Sequence, residues 1–256
     1  MKNFVVEIQS QTASFRNPNF QNFHKSLTLP PPTTIIGLAG AALGLPPLQA
    51  QEFFEETNFK IGVYGTFEGK CNDTWKYNKL NKDLWKHRSW SKLPHLFKKK
   101  KDIAGGVLTK EYLINTRYLL AFSSNDDGKI EDLYSAFASP VYALTMGNSD
   151  SLAFVKSIVS DVHVSKNDQL QHCLVEGDIV DQVMRLTPEK MEFSIYQSTS
   201  EPITHDLPVR FEYESDYGKR SVSSISTFSI IGEEMKLNFE VDGLTYQDVF
   251  IPLFKL

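Results

Sequence analysis

The run LPPPTTIIGLAGAALG, residues 29–44, decides how the chain folds. Its prolines cannot lie inside a helix but suit the approach to one, and the apolar run behind them predicts a helix capped by Thr33 or Thr34. The glycines of this run indicate close packing against a sheet, because a phosphate-binding loop would need another glycine spacing and a lysine. We therefore expect a helix that lies on a sheet made by the neighbouring strands.

Apolar patterns on both sides of this helix predict those strands. The predicted elements are, in order, a strand at 4–8, the helix at 33–44, strands at 61–67 and 112–122, a helix at 129–138, and strand at 141–146 and 152–164. In the second helix Ile130, Leu133 and Phe137 share one face. The order β-α-β-β-α-β is the ferredoxin-like arrangement that RNA-recognition modules also use.

From about residue 170 the pattern changes to short strands. They are predicted at 191–195, 209–213, 225–230, 237–241 and 246–251, and Asp242-Gly243 indicates a type I′ turn between the last two. The predicted fold class is α+β. A ferredoxin-like, RRM-like palm at 1–165 carries a long basic insertion at about 70–110, and an antiparallel β-rich C-terminal region at 166–256 either packs on the palm or extends its sheet.

Charge is distributed unevenly along the chain. The whole sequence has 27 basic and 31 acidic residues, a net charge of −4, which argues against a polyanionic partner. Residues 60–110, however, hold 13 basic and 4 acidic side chains, whereas residues 111–256 hold 11 and 23. A basic segment of this kind is the form in which a nucleic-acid contact can lie within an acidic protein.

The cysteines and the hydropathy indicate the compartment. Cys71 and Cys173 form neither a disulfide framework nor a zinc spacing, which favours a reducing cytoplasm. No apolar run approaches the ~18 residues that span a bilayer, and the first residues lack the apolar core of a signal peptide. We expect a soluble protein of the cytoplasm that needs no metal or other cofactor.

The basic insertion is the most informative segment for function, because it interleaves lysines with all three tryptophans of the chain. Its candidate RNA-binding residues are Trp75, Lys76, Lys79, Lys82, Trp85, Lys86, Arg88, Trp90, Lys98, Lys99, Lys100 and Lys101. Lysines pair with phosphates, and flat aromatic faces stack on unpaired bases, so the combination favours single-stranded nucleic acid. The alternative is a solvated lysine loop whose tryptophans anchor it to the protein body.

Two further features offer backbone N–H groups to phosphates. One is the helix start at Thr33 and Thr34, with Arg16 and Lys25 just upstream. The other is the turn of small polar residues at Gly147, Asn148 and Ser149. Every helix has such an end and such turns are common, so both features have an ordinary structural explanation as well.

Catalytic patterns are weak in this sequence. The six histidines form no H-x-x-x-H or H-E-x-x-H pair, so we predict no metal site. His24 and Lys25 together have the base and the cation that metal-independent RNA cleavage requires, but such a dipeptide is usually an exposed polar step. We predict that the protein is not an enzyme.

Several of the stretches above resemble a known family. They are FVVEI at 4–8, FRNP at 15–18, the run at 29–44, KIEDLY at 129–134 and SPVYALTMGNSD at 139–150. Together they resemble CRISPR-associated protein family five of the RAMP superfamily, whose members are subunits of type I Cascade complexes, and most of all its type I-B branch. The resemblance covers residues 1 to about 160 and is looser beyond them.

The resemblance implies a subunit that caps the Cascade backbone and holds the 5′ handle of the CRISPR RNA (crRNA) with its insertion, the thumb. It implies contacts with the repeated backbone subunit and with the large subunit, and contact with target DNA only through the complex. In type I-C systems a similar protein cuts the precursor RNA with a Tyr and a Lys-His pair. Here residues 29–44 contain no tyrosine, and residues 109–112 read TKEY without Lys-His.

These observations favour a non-catalytic RNA-binding assembly subunit with an acidic C-terminal region that faces protein partners. The second hypothesis is a metal-independent endoribonuclease that processes precursor crRNA. The third is a structural adaptor whose lysine loop meets an acidic protein. A steep salt dependence of binding would separate the first hypothesis from the third.

Overall fold

Strands outnumber helices in a computed structural model of the protein, which describes residues 2–20, 23–80, 103–185, 197–198, 201–216 and 219–255. The described strands are β1 (Asn3–Ala13), β2 (Phe15–Arg16), β3 (Phe23–His24), β4 (Ser26–Leu27), β5 (Lys60–Thr66), β6 (Gly69–Leu80), β7 (Ile103–Ser123), β8 (Ala153–Ser160), β9 (His163–Leu170), β10 (Cys173–Glu176), β11 (Gln197–Ser198), β12 (Ile203–Tyr213), β13 (Arg220–Ile231), β14 (Met235–Tyr246), β15 (Val249–Pro252) and β16 (Phe254–Lys255). The described helices are α1 (Pro32–Leu43), α2 (Pro47–Glu55), α3 (Asp127–Ala138) and α4 (Ile179–Arg185).

Most of these strands join one large sheet. Its order is β12-β13-β10-β5-β7-β1-β8, with β16 pairing β5 and with β3 and β6 pairing β7. All of these pairs are antiparallel except β3 with β7. A smaller sheet has the order β11-β14-β15, with β9 pairing β14. The fold is therefore a mixed α+β fold built mainly from antiparallel strands.

The helices cover one face of the large sheet. Side chains of α1, α2 and α3 form a single core with Phe4, Val6 and Ile8 of β1 and with alternate residues of β5 and β7. The predicted apolar face of the second helix is confirmed, since Ile130 and Phe137 are both fully buried. Part of the opposite face packs against the smaller sheet.

Helix α1 begins at the prolines, as predicted, but its N-cap residue is not the predicted threonine. Pro31 is the N-cap residue, Pro32 is the first helical residue, and no side chain caps the helix, so the predicted cap at Thr33 or Thr34 is wrong. The glycines were predicted to pack against a sheet, but Gly40 packs against helix α2. A Cβ at Gly40 would lie 2.6 Å from Cβ of Ala50 in that helix. Helix α2 itself was not predicted from the sequence.

The strand predicted at 141–146 is not present, and its residues complete α1 instead. The N–H groups of Val141 and Tyr142 donate to the carbonyl oxygens of Ala42 and Ala41, the last turn of the helix. Residues 141–146 keep one isolated bridge, from Thr145 to Leu152. Carbonyls at a helix end need partners, and this segment supplies them.

The strand predicted at 152–164 is divided between two sheets. Asp161 has a φ of 52°, and the N–H of Val162 donates to the Asn3 side chain, so β8 ends and β9 turns into the smaller sheet.

The predicted turn at Asp242-Gly243 is wrong, because both residues lie inside β14. The hairpin turns at Gln247 and Asp248, whose φ angles of 49° and 64° are the positive values that a type I′ turn needs.

The C-terminal region extends the sheet of the first half. Cys173 of β10 pairs with Tyr64 of β5, and β12 and β13 continue the sheet beyond it. The strand predicted at 191–195 lies outside the described residues. The division at residue 165 stays a prediction.

Among the described residues no single helix is long and apolar enough to cross a membrane. Helices α1 and α2 together meet the length and composition criteria, but they are bent by 107°.

Candidate nucleic-acid interface

The basic insertion leaves the sheet as a two-stranded arm. Strand β6 pairs with the first half of β7, from Gly69 opposite Ile114 to Leu80 opposite Ile103, and we call these two segments the arm. The second half of β7 continues into the large sheet between β5 and β1. Because one strand belongs to both parts, the arm is anchored directly in the core.

Trp75 of the arm is held in place from two sides. Its indole N–H donates to the carboxylate of Asp73, and Nζ of Lys110 on the opposite strand lies 3.5 Å from the centroid of its ring. This is the distance of a cation–π contact. Trp75 remains partly exposed, and Lys76 beside it is exposed. A ring with its orientation already fixed loses little conformational entropy when a base stacks on it.

Tyr77 adds a second aromatic ring to the same face of the arm. Trp75 and Tyr77 are two residues apart on one strand, so their side chains share a face. Tyr77 is 37% exposed, and its ring covers Gly106, where an added Cβ would lie 2.8 Å from the ring carbon that bears the hydroxyl. The described part of the arm thus offers two aromatic rings and Lys110 on one face.

Positive charge collects where the arm meets the sheet. Strand β3 runs parallel to β7, which places His24 opposite Lys110. Burial first, and then the charges of Arg16 and Lys110, hold the pKa of His24 below its usual value. Arg16 is exposed and Lys110 is partly exposed. Two cations beside a neutral imidazole form a place where a phosphate would be attracted.

The turn at Gly147 is tied to the same part of the arm. The side-chain amide of Asn148 donates to the hydroxyl of Tyr112 over 2.9 Å, and that hydroxyl donates to Asp150 over 3.3 Å. Burial, and then the charge of Asp150, raise the pKa of Tyr112, so its hydroxyl stays protonated. Gly147 has a φ of 82°, and a Cβ there would overlap the carbonyl oxygen of Ser14. The predicted turn and the predicted arm therefore meet, and Ser149 is exposed beside them.

Lys25 and the start of α1 belong to other surfaces. Nζ of Lys25 lies 5.3 Å from the ring centroid of Phe20. The pKa of His205 on β12 is lowered first by the burial of that histidine and then by the charge of Lys25. Thr34 donates its N–H back to Pro31, and the prolines at 31 and 32 have no N–H. Of the first three helical residues only Thr33 can offer an N–H to a ligand. Thr33 lines a groove with residues of β12 and β13.

Many of the predicted contacts lie outside the described residues. They are Lys82, Trp85, Lys86, Arg88, Trp90, Lys98, Lys99, Lys100 and Lys101. For Lys79 the structure describes the backbone, which pairs opposite Ala104. The predicted contacts that it brings to one region are Arg16, Trp75, Gly147, Asn148 and Ser149, whereas Lys76, next to Trp75 on the same strand, projects from the other face of the arm.

The residues that join this region were not predicted from the sequence as functional, namely Lys110 and Tyr112 on the returning strand and Asp73 beside Trp75. Alternation along 73–77 and along 108–112 is a signal that could have grouped them by face. The register that brings the two strands together is not readable from either strand alone. Among the described residues no group of three or more His, Cys, Asp or Glu side chains could hold a metal ion.

The chain is similar to known CRISPR proteins. Residues 4–223 match the model of a family described as CRISPR-associated protein (Cas_Cas5). No curated protein matches the chain. A chain of the solved structure "CRISPR RNA-guided surveillance complex" is 14% identical, with a TM-score of 0.50, and the match covers 91% of this chain and 90% of that one. At this identity the likeness concerns the fold.

Two further solved structures are less alike. A CRISPR protein from Archaeoglobus fulgidus is 11% identical, with a TM-score of 0.46, and both chains are covered completely. A chain of a type III-B Cmr-beta complex, bound to cognate target RNA and AMPPnP, is 13% identical, with a TM-score of 0.46 and with 91% of this chain and 86% of that chain covered.

Proposed function

The chain belongs to the CRISPR-associated Cas5 family, and from this premise we propose that it is a non-catalytic RNA-binding subunit of a type I Cascade complex, of the I-B branch. In this role it holds the 5′ handle of the crRNA and caps the backbone of the complex. It contacts the repeated backbone subunit and the large subunit, and it meets target DNA only through the assembled complex. It acts in a prokaryotic cytoplasm.

One observation carries the proposal. Trp75, with its ring fixed by Lys110, lies on an arm whose base gathers Arg16, His24 and Lys110. Stacking surfaces next to phosphate-binding cations are the combination that holds unpaired RNA. An acidic protein partner would also be attracted by these cations, so the salt dependence of binding is the measurement that separates RNA from the adaptor hypothesis.

The strand order supports the palm that the proposal includes. Strands β8, β1, β7 and β5 lie side by side in that order, with α1 between β1 and β5 in sequence and α3 between β7 and β8. We propose that these elements form the ferredoxin-like palm and that the arm is its thumb. The acidic C-terminal region, which extends the sheet away from the arm, faces protein partners.

A second candidate function, metal-independent cleavage of precursor crRNA, is favoured by one feature of the arm base. His24 and Lys110 are register partners, and Tyr112 lies two residues farther along the same strand. A lowered pKa leaves His24 free to accept a proton near neutral pH, and Lys110 could stabilise charge on a phosphate. Residues distant in the sequence thus supply a Tyr, a Lys and a His.

A combined binding and cleavage assay tests both functions. The purified protein is incubated in EDTA with labelled repeat RNA and with the mature 5′ handle. Binding of the handle without cleavage of the repeat is expected. Cleavage at one site in the repeat, abolished by His24→Asn but not by Lys25→Gln, would establish the second function instead. If neither RNA binds, both proposals are wrong.

A further inference from the structure

Four side chains form a straight row across the large sheet. Gln9 of β1 is opposite Phe154 of β8 on one side and opposite Arg117 of β7 on the other, and Arg117 is opposite Thr66 of β5. Directly opposed residues of antiparallel strands project from the same face. The row therefore forms the floor of an open groove of about 630 Å³, which falls within the size of small-molecule sites.

The groove lies on the face of the sheet that the helices leave free. Along the same strands Val5 and Leu119 face the smaller sheet and pack against Leu244 and Ile251. Val5 and Gln9 are four residues apart on β1, and Leu119 and Arg117 are two apart on β7, so both pairs share that face. The groove is the stretch of this face beyond the contact with the smaller sheet.

A break in the side-chain alternation of β7 brings the arm to the same side of the sheet as the groove. Leu113 and Tyr118 are an odd number of residues apart, yet both are buried in the helix-side core, because Asn115 between them has a φ of 50° and interrupts the alternation. Tyr112 and Arg117 consequently share the opposite side. Trp75 is opposite Leu108, an even number of residues from Tyr112, so its ring faces that side too.

The polar groups of the groove suit an uncharged ligand with a polar edge. Arg117 makes a bidentate ion pair with Glu7, at 2.8 and 3.3 Å, which cancels its charge. The amide nitrogens of Gln9 and Asn115 donate to Glu7 and to Glu68, so each amide can offer its carbonyl oxygen to a ligand. The carboxylate of Glu68, which lines the groove, would repel a phosphate.

The aromatic member of the row suits a flat ligand. Phe154 is 54% exposed at the β8 end of this row. Phe67 lines the groove at its far end. An exposed aromatic ring beside amide groups is how open sheets in RNA-binding modules hold a splayed base.

We propose that this groove takes one unpaired nucleobase of the guide RNA, stacked on Phe154 and hydrogen-bonded at its edge by the amides of Gln9 and Asn115. The proposal rests on the proposed function and adds a second contact region to the arm base. A peptide is less suited to the groove, since peptides add to a sheet along a strand edge and this row runs across four strands.

The test is an abasic scan of the handle RNA against two variants. Binding of the intact handle, and of handles that each lack one base, is measured by fluorescence anisotropy for the wild type and for Phe154→Ala. The matched control is Leu152→Ala, because Leu152 is also exposed, lies two residues away and does not line the groove.

One abasic position is expected to weaken wild-type binding about 5- to 150-fold. Phe154→Ala should weaken binding of the intact handle to a similar extent, and the two changes together should lose no more than either alone. Leu152→Ala should bind as the wild type does.

Three results would overturn the proposal. If Phe154→Ala binds every RNA as the wild type does, the groove holds no base, and the arm remains the RNA site. If that variant also fails to assemble with a purified backbone or large subunit, the groove holds a protein segment instead. If the wild type binds no RNA, the proposed function fails together with this site.

Discussion

Nζ of Lys110 lies 3.5 Å from the ring centroid of Trp75, on the facing strand of the arm. A cation on one side of an indole ring, with Asp73 holding the ring N–H, leaves one side of the ring for a base. Alone among the three tryptophans of the insertion, Trp75 lies in the part of the chain that the structure describes, and it is the tryptophan for which we propose a role in stacking.

Replacing Trp75 with alanine is expected to weaken binding of the handle RNA by about 1–3 kcal/mol, the contribution of one stacked base. Trp75→Phe keeps an aromatic face and should recover most of the loss. Affinities from fluorescence anisotropy at one fixed salt concentration give the comparison. Equal affinities for wild type and Trp75→Ala would show that this ring is a structural anchor.

The cations at the arm base should appear in the salt dependence of binding. Each phosphate contact that is removed lowers the slope of log K against log[salt] by about 0.7 for a single strand. Arg16→Gln and Lys110→Gln are each expected to lower it by about this amount, measured from titrations across a salt series. Lys236→Gln is the control, because Lys236 lies in the smaller sheet, 3.9 Å from Asp168. An equal slope in all four proteins would contradict phosphate binding at the arm base.

His24 is expected to make RNA binding depend on pH. Its folded pKa is below the ordinary value, chiefly because it is buried and then because of Arg16 and Lys110. A bound phosphate would offset those charges and raise that pKa, so binding should take up a proton. Affinity is therefore expected to rise as the pH falls below about 6.5, and His24→Asn should flatten that rise.

The same pKa shift has an opposite effect on the free protein. A histidine whose pKa is lowered on folding contributes stability that is fully present above the unfolded value of about 6.5, and this stability is lost as the pH falls through the folded value. Urea unfolding of the wild type and of His24→Asn is measured across this pH range. The free energy of unfolding should fall less at acid pH in the variant than in the wild type. If it falls more in the variant, His24 is charged in the folded protein.

The turn that contacts Tyr112 depends on a glycine. Gly147→Ala must adopt a φ of 82° with a Cβ against the carbonyl oxygen of Ser14. The left-handed conformation alone costs about 1–2 kcal/mol, so we expect a loss of at least that much in the free energy of unfolding. The matched control is Gly37→Ala, since Gly37 is helical and a Cβ there meets nothing within 4 Å.

Gly37→Ala should stabilise the protein by about 0.5–1 kcal/mol, because alanine is the better helix former. Chemical denaturation of the two variants beside the wild type provides both values. Should Gly147→Ala prove as stable as the wild type, the turn would have to adopt another backbone conformation than the one described.

The sequence predicted correctly those elements whose residues follow a local hydrophobic period. It failed for segments whose conformation depends on hydrogen-bond partners that are distant in the sequence. The buried face of α3 follows from its 3.6-residue period, and this prediction is confirmed. Residues 141–146 are apolar enough for a strand, but the N–H groups of Val141 and Tyr142 are used by the end of α1. No pattern within a segment reveals which distant carbonyl will accept its hydrogen bonds.

The candidate site was predicted in part for the same reason. Composition identified the basic aromatic insertion, and the family resemblance implied that it is a thumb. The cluster at its base depends on β3 lying beside β7, and the side to which the arm faces depends on the positive φ of Asn115, which interrupts the side-chain alternation of β7. Neither the pairing of two distant strands nor one such backbone angle is visible in the hydrophobic pattern of a single segment.

The order of strands in the large sheet also governs how the chain reaches its native state. Strand β1 pairs with β7 and β8, and β5 pairs with β10 and β16, all of which follow far later in the sequence. Pairings between such distant segments carry a large loop-closure entropy before they yield contacts, so proteins dominated by them fold slowly. We therefore expect slow refolding, with unpaired strand edges open to aggregation until β7 pairs with both β1 and β5.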